Sequence, residues 1–179
     1  LVCDYTYDQI SKLDAGNFFY KSKTEIRVPS LSNVLNIVKK KQKYLNIELK
    51  PNKKYEALNV KNILQEIKKV SYEKIYFSSF DLSSCIYLKE NCSDLQCGFL
   101  NDDFNKTNLN DTIDICKKYN LTSCGINLNS FSNLIVNKFI ENEIHVTVYA
   151  DNNISASTAQ KLWSNKVTSI FVDDPSEYF

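Results

Sequence analysis

The sequence lacks both a long apolar run and an excess of charge of either sign. Its 179 residues include 22 basic and 21 acidic side chains, so the net charge of +1 gives no case for nucleic acid or an anionic membrane as a partner. No apolar segment approaches the roughly 18 residues of a transmembrane span. No signal peptide is recognisable, although a truncated chain would have lost one. Glycine is scarce, with three residues, and Asn, Lys, Ile and Tyr are in surplus. This bias reflects the source of the protein more than its function.

Histidine is nearly absent, and the cysteines form no recognisable metal motif. The one histidine, His145, lies inside a predicted strand, where a lone histidine is more often structural than catalytic. The spacing of the six cysteines fits no zinc site. In an exported protein Cys92 and Cys97 would form a disulfide, and the Asn-x-Ser/Thr sequons would carry glycans. These features favour secretion slightly over the cytoplasm, and localisation stays open. The sequons begin at Asn91, Asn105, Asn110, Asn120 and Asn153.

The segment 43–51 alternates strictly between aliphatic and polar residues, as a β-strand does. Leu45, Ile47 and Leu49 share one face, and Asn46, Glu48 and Lys50 share the other. Pro51 then ends the strand. An unpaired carboxylate or ammonium is costly to bury. The polar face therefore either lies in water, as in a half-exposed antiparallel strand, or serves a functional site.

The rest of the chain repeats one theme, in which strands alternate with amphipathic helices. This order is typical of an α/β fold with a parallel sheet covered by helices and right-handed connections. A helix that begins near Pro29, with Ser30 or Ser32 as its N-cap, precedes the first strand. The predicted strands are 43–51, 75–80, 95–100, 123–128, 144–149 and 169–173, and the helices that follow the first five are 55–70, 82–89, 109–119, 134–141 and 155–164.

Polar residues cluster where the predicted strands end. In a parallel α/β barrel the carboxyl ends of the strands face the substrate, so these residues are candidates for one shared site. The alternative is that strand ends are polar because turns begin there. The candidate pairs are Glu48 and Lys50, Ser78 and Ser79, Asn127 and Asn129, Thr147 and Tyr149, and Asp173 and Asp174.

Six motifs, in order, resemble those of the glycerophosphodiester phosphodiesterase family. The likeness runs from about Asp4 to Pro175 and implies a TIM-type (β/α)8 barrel. It also implies a phosphoric diester hydrolase of lipid metabolism, which uses a metal ion to cleave glycerophosphodiesters to glycerol phosphate and an alcohol. The motifs are DYTYDQISKLDAG at 4–16, VPSLSNVL at 28–35, NIELKP at 46–51, SSFD at 78–81, HVTVY at 145–149 and SIFVDDP at 169–175.

The resemblance also shows which family motifs this sequence does not contain. Family members begin with a His-Arg-Gly strand, continue with a metal-binding Glu and Asp, and then present a His-Asp pair. We therefore expect residues 1–179 to be the C-terminal three-quarters of such a domain, truncated at the N-terminus and holding about six of the eight strands. The catalytic histidines would lie outside this fragment. With two unpaired sheet edges, the fragment is expected to be unstable and inactive alone.

The resemblance assigns roles to particular side chains. Glu48 matches one of three carboxylates that hold a divalent cation, Mg or Ca, and Lys50 would bind a phosphate oxygen as a catalytic residue. The predicted substrate-binding residues are Ser79, Phe80, Thr147 and Tyr149.

Two departures from the family leave the choice of substrate open. Val146 stands where the family has the tryptophan that walls the substrate pocket, and Tyr149 stands where it has asparagine. His145 corresponds to an apolar-facing position. The expected partner is a small-molecule glycerophosphodiester or lysophospholipid, and the oligomeric state is open. The alternative function is a catalytically dead barrel that serves as a binding or scaffold module.

Overall fold

A six-stranded sheet forms the centre of the computed structural model, which describes residues 2–104 and 108–178. The strands follow one another across the sheet in chain order, from β1 to β6. Parallel pairing joins β2 through β6, and β1 is hydrogen-bonded to β2. The sequence prediction of a parallel α/β sheet with six strands is confirmed. The strands are β1 (Leu45–Glu48), β2 (Ile75–Ser79), β3 (Gln96–Asn101), β4 (Ser123–Asn127), β5 (His145–Tyr149) and β6 (Ser169–Ile170).

Eight α-helices occur in the described parts of the chain, and a helix follows each of the first five strands. Most begin at a residue whose side-chain oxygen accepts a backbone N–H, which satisfies a donor that the helix itself cannot pair. The helices are α1 (Tyr7–Ile10), α2 (Asn17–Tyr20), α3 (Leu31–Lys40), α4 (Glu56–Val70), α5 (Leu82–Asn91), α6 (Leu109–Lys118), α7 (Asn133–Glu141) and α8 (Ala156–Ser164).

The start of α3 distinguishes the two candidate caps. The Ser30 hydroxyl accepts the backbone N–H of Asn33 at 3.2 Å, so Ser30 is the N-cap. The Ser32 hydroxyl instead donates to the Glu66 carboxylate of α4.

The chain divides into two compact units. The first comprises the residues up to Leu45 together with Pro51–Ile75, and in it α3 packs against α4. The second comprises Asn46–Lys50 and the chain from Tyr76 onward, and it holds most of the sheet and α5 to α8. Every residue predicted for the site belongs to this second unit. The expectation of one domain over residues 1–179 stays a prediction.

One face of the sheet is apolar and forms the core of the second unit. Phe77, Ile126 and Val148 are fully buried on it, and α5 and α7 pack against β3 and β5. In β1 the aliphatic positions behave as predicted, because Ile47 and Leu49 are 8 % and 1 % exposed, although Leu45 is only partly buried. Side chains at alternate positions emerge on the opposite, polar face.

Two sequence expectations need correction. Cys92 and Cys97 are free thiols, because Cys97 is buried under α5 while Cys92 lies at the end of that helix. Strand β6 ends at Ile170, three residues earlier than expected. The Asn153 carboxamide oxygen accepts the backbone N–H groups of Asp173 and Asp174 at 3.0 and 3.1 Å. These donors are therefore taken by a loop side chain and do not extend the strand.

Within the described residues, no helix combines the length and the apolar character that crossing a bilayer requires.

Candidate active site at the carboxyl ends of the strands

Glu48 and Lys50 meet at the carboxyl end of β1. Alternation places both side chains on the polar face, and the Lys50 Nζ lies 3.3 Å from the Glu48 Oε1. The predicted closeness of the two charged groups is thus confirmed, while their roles stay predictions. The Lys50 side chain is 73 % exposed and the Glu48 side chain 28 %.

The Glu48 Oε1 atom is the unusual feature of this pair. It is buried and has no hydrogen-bond partner, because the Lys50 ammonium lies at ion-pair distance but outside hydrogen-bond geometry. A pair with so exposed a lysine contributes little to stability. The Lys50 ammonium offsets part of the cost of burying this oxygen, and a bound metal cation would offset more of it. Glu48 therefore fits the ligand role that the resemblance implied.

A complete metal site is not formed by these residues alone. Across residues 2–104 and 108–178, no three His, Cys, Asp or Glu side chains are grouped so that they could hold an ion. At the strand ends the described residues include the carboxylates of Glu48 and Asp102, and neither belongs to such a group. A Mg- or Ca-type cation prefers six or more oxygen ligands, so one carboxylate does not hold it firmly.

An aromatic pair lies at the ends of β2 and β5. The rings of Phe80 and Tyr149 are 5.4 Å apart at an angle of 89°, an edge-to-face arrangement. The Tyr149 hydroxyl donates to the Asp102 carboxylate, just after β3, at 2.6 Å. Burial, followed by this hydrogen bond to Asp102, raises the pKa of Tyr149. Tyr149 is therefore a neutral phenol held in one orientation, and with the half-exposed Phe80 it offers an aromatic surface to a ligand.

Asp102 is the residue that sequence reasoning missed. It follows β3 directly, as Lys50 and Phe80 follow their strands, so the same strand-end argument could have found it. Its bond to Tyr149 joins residues 47 positions apart in the sequence, which no local pattern reveals.

Ser79 lies at the end of β2, but its hydroxyl is already engaged. It is fully buried, donates to the Leu49 carbonyl at 2.7 Å and accepts the Asp81 N–H at 3.0 Å. These bonds hold the end of β1 against the end of β2. Direct contact between Ser79 and a substrate stays a prediction, and the observed contacts suit a residue that positions the strand ends.

Thr147 faces the polar side of β5, one layer nearer the amino ends of the strands than Tyr149. It is 8 % exposed, and its hydroxyl lies 2.8 Å from that of Ser169. Thr147 lines a cavity of about 410 Å³. Most of the other lining residues lie at or just before the amino ends of the strands, and two lie at the end of the short β6; the full set is Asn46, Tyr76, Gln96, Thr122, Ser123, His145, Thr168, Ser169, Ile170 and Phe171.

His145 and Val146 occupy other surroundings than the resemblance implied. His145 is exposed at the amino end of β5 and lines this cavity, so it is not apolar-facing and lies at the opposite end of the strand from Tyr149. Val146 is fully buried on the apolar face, so the residue at this position does not wall a pocket on the polar face. Tyr149 supplies an aromatic ring there.

Three of the five predicted glycosylation sequons begin at exposed residues, Asn91, Asn110 and Asn120. Asn153 is partly buried in the loop contacts described above, and Asn105 lies outside the described residues.

Comparison with known proteins agrees with this geometry. A family model for the glycerophosphoryl diester phosphodiesterase family matches residues 1–177. The chain belongs to this family. Membership confirms the resemblance seen in the sequence motifs and places the chain among the phosphoric diester hydrolases. No curated protein matches the chain at the required significance.

Solved structures of similar fold cover almost the whole chain. A phosphodiesterase from Oleispira antarctica, solved with the product sn-glycerol-3-phosphate, has a TM-score of 0.87 at 18 % identity and covers 99 % of this chain and 70 % of its own. A glycerophosphodiester phosphodiesterase from Parabacteroides distasonis has a TM-score of 0.78 at 18 % identity, with coverages of 96 % and 68 %. A protein from Galdieria sulphuraria has a TM-score of 0.82 at 18 % identity, with coverages of 97 % and 68 %. At these identities the likeness establishes the fold, and the six strands correspond to an incomplete (β/α)8 barrel.

Proposed function

We propose that this chain takes part in the metal-dependent hydrolysis of glycerophosphodiesters to glycerol phosphate and an alcohol. The observation that carries the proposal is the buried Glu48 Oε1, which has no hydrogen-bond partner and lies at the carboxyl end of a barrel strand beside Lys50. In barrel enzymes this end of the strands holds the active site. Family membership supplies the reaction class.

Glu48 would hold the cation as one ligand among several. A divalent cation, Mg or Ca, would polarise the phosphoryl group and screen its charge when bound. The remaining ligands do not come from a group of His, Cys, Asp or Glu within residues 2–104 and 108–178. The cation specificity of Glu48 is that of a hard oxygen donor, which favours Mg or Ca over softer metals.

Lys50 would hold a phosphate oxygen of the substrate. Its ammonium is 73 % exposed and lies 3.3 Å from Glu48, so the carboxylate keeps the charge at the site without covering it. A lysine of this kind binds phosphate as a point charge. The negative charge that a phosphodiester carries into the site would be matched by this ammonium.

Phe80 and Tyr149 would lie against the alcohol portion of the substrate. Their edge-to-face rings present apolar surface, while Asp102 fixes the Tyr149 hydroxyl. Such a surface suits the carbon skeleton of a glyceryl or acyl group. Both a simple glycerophosphodiester and a lysophospholipid fit this description. Ser79 and Thr147 would act behind these residues, through the strand contacts that their hydroxyls make.

A catalytically dead barrel is the second candidate. It is favoured by the lack of a three-ligand group among residues 2–104 and 108–178 and by the position of His145, the one histidine of the sequence, at the amino end of its strand. Such a chain would bind a phosphodiester without cleaving it.

The metal role of Glu48 is tested in the full-length gene product. We expect turnover of glycerophosphocholine that is abolished by EDTA and restored by Mg²⁺ or Ca²⁺. Glu48→Gln keeps the side-chain shape but weakens cation affinity by at least the 10–100-fold that loss of an outer-shell partner costs. Isothermal titration with the cation alone measures this step. Equal cation affinity in the variant, or folded protein that is inert with every glycerophosphodiester and lysophospholipid, contradicts the proposal.

The phosphate role of Lys50 is tested separately. Lys50→Ala should lower the rate of hydrolysis while cation affinity is retained, because the lysine binds substrate and not the metal. Lys53→Ala removes an exposed lysine three residues away and serves as the matched control. Full activity of Lys50→Ala removes Lys50 from the site without affecting the case for Glu48.

A further inference from the structure

Three successive aromatic side chains in the first unit are held out in solvent. Phe18, Phe19 and Tyr20 are 84 %, 79 % and 58 % exposed, although they form most of the short helix α2. Successive helical residues point in directions about 100° apart, so no single buried face can cover all three. An exposed apolar cluster of this size in a folded unit marks a surface for interaction.

The segment that carries these rings, residues 16–23 and hereafter the aromatic loop, is closed at its base by hydrogen bonds. The Asp14 carboxylate accepts the backbone N–H groups of Gly16 and Asn17 at 3.0 Å each, and also the N–H and the hydroxyl of Thr24. The Ala15 N–H donates to the Ile26 carbonyl at 2.9 Å. These bonds fix both ends of the loop, so an ordered backbone holds the three rings in their exposed positions.

Further contacts hold Asp14 in its charged form and close the opposite end of α2. The hydrogen bond from the Thr24 side chain, together with the backbone donors, lowers the pKa of Asp14. Lys21 ends the helix in the left-handed conformation at φ 53°, which stops the chain from continuing helically into the next residues.

The charge of the aromatic loop is positive. Lys21 and Lys23 are exposed, and residues 16–24 contain no acidic side chain. The exposed Glu25 and Arg27 that follow offset each other, and the Asp14 carboxylate is covered by its four donors. The Lys21 Nζ lies 4.2 Å from the centre of the Phe18 ring, so cation and ring occupy one patch. The net charge of +1 gave no case for an anionic partner, because it averages over the whole chain. The loop concentrates two positive charges beside three aromatic rings.

We propose that the aromatic loop binds the surface of membranes that contain anionic phospholipid. Aromatic side chains partition to the boundary between head groups and acyl chains, and lysines are attracted to the negative surface potential of such membranes. Two lysines and three rings form a weak, reversible anchor. The combination of positive charge and exposed aromatic surface indicates that the binding partner is a lipid surface. The inference does not depend on the catalytic proposal.

Vesicle sedimentation of the full-length gene product tests the proposal, with the 179-residue chain in parallel where circular dichroism shows that it is folded. Binding is expected to vesicles of phosphatidylcholine mixed with phosphatidylserine, and to weaken with added salt. Lys21→Gln and Lys23→Gln should each reduce affinity by about fivefold, since a lysine near the surface contributes about 1 kcal/mol. The double change of Phe18 and Phe19 to Ser should reduce it by about tenfold or more.

A matched control exists elsewhere in the first unit. Tyr44 is 80 % exposed, and the Lys74 Nζ lies 5.5 Å from its ring centre, so this pair has the same chemistry without the loop. The double variant Tyr44→Ser, Lys74→Gln should bind vesicles as the unchanged chain does. Circular dichroism of each variant verifies that it is folded.

A fluorescent reporter keeps the test independent of variants that remove side chains. Trp163 is the one tryptophan of the sequence, so Phe18→Trp in a Trp163→Phe background reports from the loop alone. Its emission should shift to the blue with the mixed vesicles, and Tyr44→Trp in the same background should not shift. Absence of binding to the mixed vesicles, an unshifted Phe18→Trp emission, or unchanged affinity of the phenylalanine variant overturns the proposal. A protein surface would then be the occupant to seek.

Discussion

Ile47 and Glu48 are neighbours in β1, yet their side chains have opposite surroundings. Ile47 is 8 % exposed on the apolar side, while Glu48 faces the polar side, where its Oε1 lies in an ion pair with Lys50 but accepts no hydrogen bond. The two-residue period of a strand explains both environments. The assignment of the two faces of β1 can therefore be tested at Ile47, because its replacement does not disturb the Glu48–Lys50 pair.

In an intact domain, Ile47→Ala should lower the free energy of unfolding by about 2–5 kcal/mol, because it leaves a cavity in a packed interior. Urea denaturation followed by circular dichroism measures the change. Tyr44→Ala, at an exposed position in the same segment, should change it by less than about 0.5 kcal/mol. A loss below that value for Ile47→Ala would mean that the faces of β1 are assigned the wrong way round.

Tyr76 makes stability depend on alkaline pH. Burial, partly offset by the hydrogen bond with Ser123, raises the pKa of Tyr76 from 10.0 to about 12. The folded state therefore keeps the phenol protonated where the unfolded state releases the proton. This contribution to stability is complete below pH 10 and is lost as the pH rises towards 12.

Urea unfolding at a series of alkaline pH values tests this dependence. Tyr76→Phe cannot ionise, so its stability should fall less steeply between pH 10 and 12 than that of the unchanged chain. Buried thiols titrate in both proteins and cancel in the comparison. Parallel curves for the two proteins would show that Tyr76 does not carry the effect.

The residues of the candidate site differ in how far the sequence could predict them. The pairing of Glu48 with Lys50 could be predicted from the sequence, because their spacing within one strand fixes their mutual position. Asp102 was not, since its contact with Tyr149 depends on two strands that are distant in the sequence. The engagement of the Ser79 and Thr147 hydroxyls likewise depends on neighbouring strands, which strand-end polarity does not reveal.

At the scale of elements, alternation and capping predicted the helices and strands to within a few residues. The helix expected at 55–70 is α4, Glu56–Val70, and the strand expected at 123–128 is β4, Ser123–Asn127. The largest differences are at β1, expected at 43–51 and observed at Leu45–Glu48, and at β6, where the Asn153 side chain accepts backbone N–H groups from another loop. Side-chain contacts between loops end elements in ways that local propensity does not encode.

Four cysteines lie on elements packed together in the second unit, Cys85 on α5, Cys97 on β3, Cys116 on α6 and Cys124 on β4. All four are buried, whereas Cys3 is exposed and Cys92 partly so. Burial raises the pKa of Cys116 to about 12 and that of Cys124 well above its usual range. A hydrogen bond with Cys97, followed by burial, raises the pKa of Cys85.

Thiol titration with Ellman's reagent should therefore separate two classes. Cys3 and, more slowly, Cys92 should react in the native protein, because thiolate formation and access control the rate. The other four should react only after unfolding in guanidinium. Simultaneous reaction of all six thiols would contradict the burial of these elements. A native mass lower by two hydrogens would instead show that a disulfide is present.

At the scale of the whole molecule, the sheet is open in the described chain. Strand β1 pairs with β2 alone and β6 with β5 alone, and the chain aligns with 70 % of the Oleispira structure. A closed (β/α)8 barrel has eight strands and no edges. The sequence predicted this fold class from alternation and motif order, but no pattern in it indicated that the chain divides into two compact units within one family match.

The 179-residue chain, purified alone, should show no phosphodiesterase activity. One carboxylate leaves a hard cation held mostly by water. The one histidine lies at the wrong end of its strand to act as a general base, a loss that typically removes a factor of about 10²–10⁴ in rate. Release of choline from glycerophosphocholine, with and without Mg²⁺ or Ca²⁺, measures this. Turnover that depends on the cation in the isolated chain would contradict the prediction.

Polar side chains also link the strands across the sheet. One of these links passes over Gly98 of β3, where a Cβ would overlap the hydroxyls of Tyr76 and Ser123. A one-residue slip of a linked strand would turn its polar side chain toward the helices and leave the partner group unpaired, at a cost of about 1–3 kcal/mol for each buried group. The links therefore select the native alignment against misaligned sheets while the chain folds. They join Asn46 with Ser78, Tyr76 with Ser123, and Thr147 with Ser169.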